Sequence, residues 1–161
     1  MTEIRKATID DQEAIWNILK IVIATGDTYC FAPNSTKEKM LNYWCNDDKY
    51  THVAIVDRKV AGTFIIKDNQ IDLGSHIANA SYMVSSEYAG QGIGKLIGEY
   101  SINVAKKLGY IAMQFNIVVK TNERAVRLWQ KLGFDIVGEI PDAFNHIQNG
   151  YTNAYIMYRK L

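Results

Sequence analysis

A glycine-rich turn is the segment of this sequence whose residue types and spacing point most directly to chemistry. Gly90-Gln91-Gly92-Ile93-Gly94 follows a predicted strand, Ile77–Val84, and opens a stretch with helical periodicity. The start of a helix presents free backbone N–H groups and the positive end of the helix dipole. Glycines let a bulky anion approach those groups closely. The turn therefore predicts a site for a phosphate-bearing ligand.

Two widespread phosphate motifs do not fit this turn. The dinucleotide fingerprint G-x-G-x-x-G needs a third glycine where Lys95 stands, and moving the frame by two residues places Ile97 there. The Walker motif needs glycine at the position of Ala89 and Ser or Thr where the chain has Leu96. Two interpretations remain, a strand-to-helix turn without a ligand and a phosphate loop of another kind.

A second motif lies about thirty residues further along the chain. Residues 122–134 (NERAVRLWQKLGF) fit the pattern N-x-x-A-x-x-L-[aromatic]-x-K-x-G-F. Its apolar positions recur at helical spacing: Ala125, Leu128, Trp129 and Leu132. The spacing predicts an amphipathic helix that Gly133 ends. By itself the segment is a capped helix leading into a strand, but its pairing with the upstream glycine loop is much more specific.

Hydrophobic periodicity predicts the elements that must position these motifs. β-Branched and aromatic runs predict seven strands: Ile4–Ala7, Tyr50–Val56, Val60–Lys67, Ile77–Val84, Ala112–Val119, Phe134–Ile140 and Thr152–Arg159. A loop from Pro141 to Tyr151 joins the last two. The order is strand, two helices, three strands, helix, strand, helix and two strands. This order predicts a mixed α/β sheet with helices on its faces.

The first two helices are predicted from capping boxes, and the third from its periodicity. Asp10 with Glu13 starts a helix that runs to about Ile23, and Ser35 with Glu38 starts the second. After the glycine loop, the predicted apolar face of the third helix consists of Ile93, Ile97, Tyr100, Val104 and Leu108. Gly109 stands where a left-handed C-terminal cap is expected.

Length and composition limit the class of protein. The 161 residues, 48% of them hydrophobic, suit one packed domain. Eighteen Lys and Arg against seventeen Asp and Glu leave a charge of +1, which argues against a nucleic-acid groove or a membrane surface held by clustered basic side chains. No apolar run reaches the ~20 residues of a membrane span, and the start lacks the apolar core of a signal peptide. We therefore predict a soluble, cytoplasmic protein.

Cysteine usage and aromatic content add two expectations. Cys30 and Cys45 have no CxxC spacing, so neither a zinc cluster nor a disulfide framework is predicted, and no metal is expected. Ten Tyr and three Trp are many for so small a domain. A homodimer contact would account for part of this excess, since aromatic residues are enriched at interfaces.

The glycine loop and the second motif together resemble the GNAT superfamily of N-acetyltransferases, which use acetyl-coenzyme A. The resemblance is strongest from Tyr82 to Phe134, and the element order matches over nearly the whole chain. It implies one N-acetyltransferase domain over residues 1–161. It also implies a central sheet that splays between its fourth and fifth strands, here Ile77–Val84 and Ala112–Val119.

The resemblance also implies where acetyl-coenzyme A binds. Its pyrophosphate would lie on the glycine loop, residues 89–95: Ala89, Gly90, Gln91, Gly92, Ile93, Gly94 and Lys95. Its pantetheine arm would pair with the backbone of Met83 and Val84. The N–H of Val84 or of Met83 would polarise the thioester carbonyl and stabilise negative charge on its oxygen. Asn122 and Trp129 would contact the cofactor from the following helix.

Two positions depart from the family's pattern. Ala89 stands where Arg or Gln is usual. Because backbone donors hold most of the phosphate, we expect its binding to be weaker and not lost. Trp129 stands where the family commonly has a tyrosine that protonates the departing thiolate. Indole N–H is not an acid at neutral pH. Either water or a nearby tyrosine replaces that acid, or the leaving thiolate needs no acid from the protein. The alternative for Trp129 itself is core packing.

No general base is evident, because Ile77–Val84 contains no carboxylate. The polar groups available are Asn79, Ser81 and Tyr82 on this strand and Asn116 on the neighbouring one. Such groups would relay a water, and Tyr82 would orient the substrate or line the cleft, with simple packing as its alternative. We expect His52 to pack in the sheet, and His146 either to touch the acceptor or to lie in a solvated loop.

The acceptor is expected between two loops, by the same resemblance. Asp27, Tyr29 and Phe31 lie on the first of them, and Phe144 and Tyr151 on the second. Aromatic walls with a carboxylate suit a small primary amine or an amino acid. The reaction would be direct attack of the amine on the thioester in a ternary complex. Acetylation of a protein or peptide N-terminus and non-catalytic binding of acetyl-coenzyme A are the alternatives.

Overall fold

The computed structural model describes residues 1–161 and contains one seven-stranded sheet and four α-helices. The elements are β1 (Glu3–Lys6), α1 (Gln12–Ala24), α2 (Lys37–Trp44), β2 (Tyr50–Val56), β3 (Lys59–Asp68), β4 (Ile77–Val84), α3 (Ile93–Lys107), β5 (Ala112–Val119), α4 (Glu123–Lys131), β6 (Asp135–His146) and β7 (Gly150–Lys160). The strand order in the sheet is β1-β2-β3-β4-β5-β7-β6. The predicted order of elements and the mixed α/β class are confirmed.

The sheet opens between β4 and β5, its only parallel neighbours. These strands are paired at Ile77 with Ala112 and at Ala78 with Met113, and the pairing then stops. On its other edge, β5 pairs with β7 with a register shift between Phe115 and Val118. A bulge of this kind bends a strand, here on the side away from β4. The predicted splay is confirmed, and it leaves a groove along the C-terminal half of β4.

Helices cover both faces of the sheet. α1 and α2 bury Ile15, Leu19 and Trp44 against one face, whereas α3 and α4 bury a larger set, including Ile97 and Trp129, against the other. Side chains of a strand alternate between faces, so β4 contributes to both cores. No helix of the structure is long and apolar enough to cross a membrane.

The buried face of α3 differs from the predicted one. Ile93 and Ile97 are buried as expected, but Tyr100 and Leu108 are more than a third exposed. The buried stripe continues instead through small side chains, among them Gly98 and Ser101. Small residues allow close approach, and a Cβ on Gly98 would lie 3.2 Å from the Trp129 ring of α4. Apolar periodicity overlooks such positions because it counts only large residues.

The predicted capping boxes lie one or two residues from the true helix starts. The first box joins Thr8 and Asp11 around a short 3-10 turn, and α1 begins at Gln12. Arg5 on β1 determines this choice, because its guanidinium holds Asp11 with two hydrogen bonds of 2.7 and 2.9 Å. For α2, the capping side chain is that of Thr36, which accepts from the N–H of Lys39 at 3.2 Å.

Replacing Asp11 by Asn tests the ion pair with Arg5. The Arg5 guanidinium and the Thr8 hydrogen bonds lower the pKa of Asp11 to about 2. The stabilisation is therefore fully present above pH ~4, where the unfolded carboxyl is ionised, and is lost as pH falls through about 2. We expect Asp11→Asn to lower the free energy of unfolding by about 1–2 kcal/mol at pH 7, and by roughly half as much at pH 3.

Urea denaturation at several pH values measures this effect, with Asp10→Asn as the matched control. Asp10 is the exposed neighbour of Asp11 and has no ion pair. Equal losses in the two variants, or a loss for Asp11→Asn that does not shrink towards pH 3, would contradict the prediction.

The prediction of a loop from Pro141 to Tyr151 is wrong. β6 continues to His146 and β7 begins at Gly150, so the two strands form one long hairpin with a three-residue tip. The pairing is interrupted between Ile140 and Phe144. Proline lacks the N–H of a regular ladder, and the strand accommodates Pro141 at this irregularity and continues beyond it. The extended hairpin carries Phe144 back over the sheet towards the loop between α1 and α2.

Candidate active site

The glycine loop forms an open cradle at the start of α3. Gly90 and Gly92 have φ values of +78° and +81°, a conformation that side chains disfavour. A Cβ on either glycine would meet no atom within 4 Å, so the space beside the loop is free. Gly92 is the N-cap of α3 and no side chain caps the helix. A bulky ligand can therefore approach the backbone of the helix start directly.

Backbone donors in this cradle are divided between internal bonds and free groups. The N–H groups of Ala89 and Gln91 donate within the loop, to Ser86 and Tyr88 at 3.2 and 3.3 Å. The first N–H groups of a helix have no partner inside it, which leaves those of Ile93, Gly94 and Lys95 for a ligand. The Lys95 ammonium lies 3.7 Å from Glu99. Among the predicted loop residues, Ala89 and Gln91 therefore use their N–H groups to hold the shape of the loop.

The edge of β4 that faces the groove is identified by two hydrogen bonds. Ser85 N donates to Ala61 O of the β3 side at 2.9 Å, whereas Tyr82 N donates to the Tyr29 hydroxyl at 3.0 Å. Successive backbone groups of a strand point in opposite directions. The N–H of Val84 therefore faces the groove, and that of Met83 faces β3. Of the two alternatives for the donor to the thioester, Val84 is therefore the one with the required orientation.

A hollow of about 220 Å³ lies beside Val84, between the end of β4 and α1. Ile18 and Val22 form its apolar wall. Asp27 lines this hollow and not the predicted acceptor site, and its carboxylate accepts a hydrogen bond from Thr25. The structure therefore does not bring Asp27 together with the aromatic residues predicted beside it, because the turn after α1 directs it towards the groove end of β4.

A larger cleft of about 550 Å³ lies between the loop that follows α1 and the hairpin of β6 and β7. The structure brings Tyr29, Phe31 and Phe144 together in its walls, as predicted from the two segments. No Asp, Glu, Lys or Arg lines it. Tyr151 lies outside this cleft, with 74% of its surface exposed, so the structure does not bring it together with Tyr29, Phe31 and Phe144. It lies opposite Asn145 on the hairpin and projects into solvent.

His146 also lines the cleft but is held by the hairpin tip. Its Nδ1 accepts from the backbone N–H groups of Gln148 and Asn149 at 3.1 and 3.2 Å. The residue is buried, so it is not a solvated loop histidine. His52 stacks on Phe64 with 4.8 Å between ring centroids, which confirms its predicted packing in the sheet.

The Tyr82 side chain lies in the core beneath α3 and not in the cleft. Its hydroxyl is 2.7 Å from Ser101 Oγ, and its ring is 4.6 Å from that of Trp129. Burial raises the pKa of the Tyr82 phenol far above its ordinary value. The structure therefore favours the packing alternative for this side chain, because even-numbered side chains of β4 point towards the α3 core.

Asn116 has both ends of its amide occupied. Its Nδ2 donates to Asn69 Oδ1 at 2.8 Å, and its Oδ1 accepts from Gln114 Nε2 at 3.0 Å. Asn79 Nδ2 donates to Gln114 O at 2.9 Å, across the gap between β4 and β5. These amides bridge the narrow end of the groove, so the predicted catalytic role of Asn116 is replaced by one in holding the strands.

Trp129 and Asn122 occupy structural positions on α4. Trp129 is 8% exposed and lies 4.7 Å from Phe115, which favours core packing over cofactor contact. Asn122 is the N-cap of α4, where its Oδ1 accepts from Ala125 N at 3.3 Å. Its Nδ2 is the atom that would contact a ligand.

Sequence analysis did not identify the double hydrogen bond of Tyr29. The Tyr29 hydroxyl accepts from Tyr82 N–H and donates to Tyr82 C=O. The two residues are 53 positions apart, and no periodicity relates a loop tyrosine to a strand backbone. The only available signal was the aromatic content of the loop.

Comparison with known proteins supports the interpretation of this geometry. The model of the acetyltransferase (GNAT) family matches residues 19–134, more than half of the chain. The N-acetyltransferase aca1 of Schizosaccharomyces pombe is 36% identical over 106 residues, which are 64% of this chain and 51% of that protein. This chain thus spans about half the length of that curated relative.

Solved structures have the same fold over the whole chain. A GCN5-related N-acetyltransferase from Kribbella flavida is 35% identical, with a TM-score of 0.94, over 99% of this chain and 98% of that one. A GNAT superfamily phosphinothricin acetyltransferase from Sinorhizobium meliloti, solved with acetyl-coenzyme A, is 19% identical with a TM-score of 0.86, over 99% and 88% of the two chains. With its splayed sheet and uncapped glycine loop, this chain belongs to the GNAT acetyltransferase family.

Proposed function

We propose that this chain is an N-acetyltransferase that moves the acetyl group of acetyl-coenzyme A to a primary amine. The proposal rests on one observation, which is that the groove and the aromatic cleft meet at the same edge of β4. The groove beside β4 begins at the free N–H groups of α3, and the aromatic cleft borders the same edge through Tyr29. A donor and an acceptor can therefore bind side by side.

Backbone groups of this chain fit the polar parts of acetyl-coenzyme A. Three free N–H groups at the positive end of α3, those of Ile93, Gly94 and Lys95, suit a pyrophosphate. An anion held by backbone dipoles needs no cluster of basic side chains, which agrees with the net charge of +1. Bound there, the cofactor supplies an activated acetyl thioester. The inward N–H of Val84 would polarise its carbonyl group.

The shape of the cleft favours a small acceptor. Its volume of about 550 Å³ falls in the range of ~300–1,000 Å³ that is usual for small-molecule sites. Tyr29 and Phe31 stack with centroids 6.3 Å apart, and Phe144 forms the opposite wall. In the absence of a lining carboxylate, aromatic faces are the groups left to attract a cationic amine. We therefore propose a small primary amine, including an amino acid, whose body packs on these rings.

Thiol release from acetyl-coenzyme A tests this function directly. Purified protein is incubated with acetyl-coenzyme A and, separately, with a panel of small amines, a panel of amino acids and a panel of peptides. We expect thiol release with at least one small amine or amino acid and none with peptides. Turnover only with peptides would contradict the acceptor class. Binding of acetyl-coenzyme A without turnover on any panel would contradict the enzymatic function.

The variant Phe31→Ala tests whether the cleft binds the acceptor. Loss of one aromatic wall removes about 1–1.5 kcal/mol of binding, so we expect the KM for the amine to rise about tenfold. The KM for acetyl-coenzyme A is expected to stay within threefold. Tyr151→Ala is the matched control, because that tyrosine is on the hairpin but outside the cleft. Equal effects in the two variants would place the acceptor elsewhere.

A further inference from the structure

The Tyr29 hydroxyl lies where the aromatic cleft meets the groove beside β4. It bonds both backbone groups of Tyr82, at the strand edge from which β5 has separated. The Tyr29 ring, in turn, forms part of the cleft wall. A single phenol therefore contacts both of the spaces in which the two substrates are proposed to bind.

The closed end of the groove limits how far a ligand can enter. β4 and β5 are paired at Ala78 and Met113, and Asn79 bridges the gap to Gln114 O. An arm that starts at the glycine loop therefore passes Val84 before it reaches the level of Tyr29.

The spacing along β4 suits a thioester. The inward N–H groups of Val84 and Tyr82 are two residues apart, which is about 7 Å along a strand. That distance accommodates a thioester whose oxygen accepts from Val84 N–H and whose sulfur accepts one hydrogen bond from Tyr29 Oη. The reacting end of the arm thus comes within reach of the phenol.

The other titratable side chains near this point have hydrogen-bond partners of their own, and the Asp27 carboxylate beside Val84 accepts from Thr25. The Tyr82 hydroxyl is bonded to Ser101 in the α3 core. His146 caps the hairpin tip through its Nδ1. Trp129 is not an acid, and β4 carries no carboxylate. Tyr29 carries the phenol that is bonded to the open edge of β4 itself, through Tyr82 N–H and C=O.

We propose that Tyr29 is the catalytic proton-transfer residue of this enzyme, an inference that rests on the proposed function. The amine nitrogen forms a bond to the acetyl carbon while the C–S bond breaks, and its electron pair leaves with sulfur. Tyr29 Oη turns its hydrogen bond from Tyr82 C=O to that sulfur, gives the sulfur its proton and takes the proton that the amine nitrogen loses. The phenol is regenerated, and one proton has moved from nitrogen to sulfur.

The state of the phenol agrees with this role. Burial raises the pKa of Tyr29 to about 12, so the hydroxyl is protonated at neutral pH and gives up its proton only as it takes one from the amine nitrogen. Proton transfer by a positioned group commonly contributes about 10²–10⁴-fold to a rate. Tyr29 lies on the loop after α1, whereas the tyrosine usual in this family would stand at the position of Trp129 on α4.

The variant Tyr29→Phe tests whether the Tyr29 hydroxyl contributes to kcat. It keeps the ring in the cleft wall and removes only the hydroxyl, so we expect kcat to fall about a hundredfold while both KM values stay within threefold. Tyr43→Phe is the matched control, since Tyr43 packs on Phe31 outside the cleft. A kcat for Tyr29→Phe within threefold of that of Tyr43→Phe would overturn the proposal.

A binding experiment tests contact with sulfur without turnover. Calorimetry at pH 9 compares coenzyme A with desulfo-coenzyme A, which lacks the sulfur atom. A hydrogen bond to a thiolate would make coenzyme A bind about tenfold tighter to the unmodified protein, and Tyr29→Phe would abolish this difference. The same ratio in both proteins, or an equal loss of affinity for both ligands in Tyr29→Phe, would overturn the proposal in favour of a structural role.

Replacement of Tyr29 by 3,5-difluorotyrosine keeps the test valid if Tyr29→Phe does not fold. This residue retains both hydrogen bonds and has a more acidic phenol, so the fall of kcat at high pH should move to lower pH. An unchanged pH profile would overturn the proposal. If the unmodified protein neither binds acetyl-coenzyme A nor releases thiol, the proposed function fails instead.

Discussion

Gly92→Val is expected to weaken the binding of acetyl-coenzyme A about a hundredfold. Gly92 has a φ of +81°, a region that a β-branched residue avoids, and its Cα faces the open cradle at the start of α3. The valine would rotate the loop and place methyl groups where the phosphates approach. Loss of one or two charge-assisted hydrogen bonds from N–H groups corresponds to about 2.7 kcal/mol, or a hundredfold in Kd. Calorimetric titration measures the change.

Gly109→Val is the matched control, because it introduces the same backbone strain at a position away from the proposed cofactor site. Gly109 follows the other end of α3, has a φ of +90° and has no atom within 4 Å of an added Cβ. Both variants should lose a similar free energy of unfolding, about 1–2 kcal/mol or more, while only Gly92→Val loses affinity. Unchanged affinity in Gly92→Val would remove the glycine loop from the proposed cofactor site. Equal loss of affinity in both variants would assign the effect to α3 as a whole.

Trp129→Ala is expected to lower the free energy of unfolding by about 3–5 kcal/mol. The Trp129 ring is 8% exposed and lies within 6 Å of the rings of Tyr82, Phe115 and Phe134. Its removal leaves a cavity between α3 and α4 that close packing cannot easily refill. Urea denaturation measures the loss. For a domain with a typical total stability of ~5–15 kcal/mol, a loss of this size is a large share.

Trp129→Phe separates packing from chemistry. Phenylalanine fills much of the same space and has no N–H, so it should cost much less stability and keep kcat within threefold. A hundredfold fall in the kcat of a folded Trp129→Phe would contradict the packing role and would assign catalysis to the indole. A stability loss of less than 1 kcal/mol in Trp129→Ala would contradict the description of this core.

Local patterns in the sequence were enough to predict the order of the elements, and the family resemblance that two of them carry implied the splay. The apolar spacing of the helices and the β-branched runs of the strands are properties of short segments. Gly109 and Gly133 could likewise be assigned as left-handed caps, and both have positive φ values. The glycine loop could be interpreted without the rest of the fold because a helix start binds anions through its own backbone.

Predictions failed where a distant residue decides the outcome. The start of α1 depends on Arg5, which holds Asp11 from a neighbouring strand. The buried face of α3 depends on small residues, whose importance lies in what α4 places against them. The strand beyond Pro141 forms because β7 pairs with it on the far side of the irregularity.

The sequence by itself determined the glycine loop and the family resemblance, and through that resemblance the two segments that form the aromatic cleft, because the motifs that carry it consist of residues close together along the chain. Only the tertiary structure decided which N–H of β4 faces the groove, and that Tyr82 and Asn116 are engaged elsewhere. It also placed the Tyr29 hydroxyl on the strand edge. These features depend on the parity of strand pairing and on contacts between residues far apart in the chain, where a shift of one residue reverses the direction in which a group points.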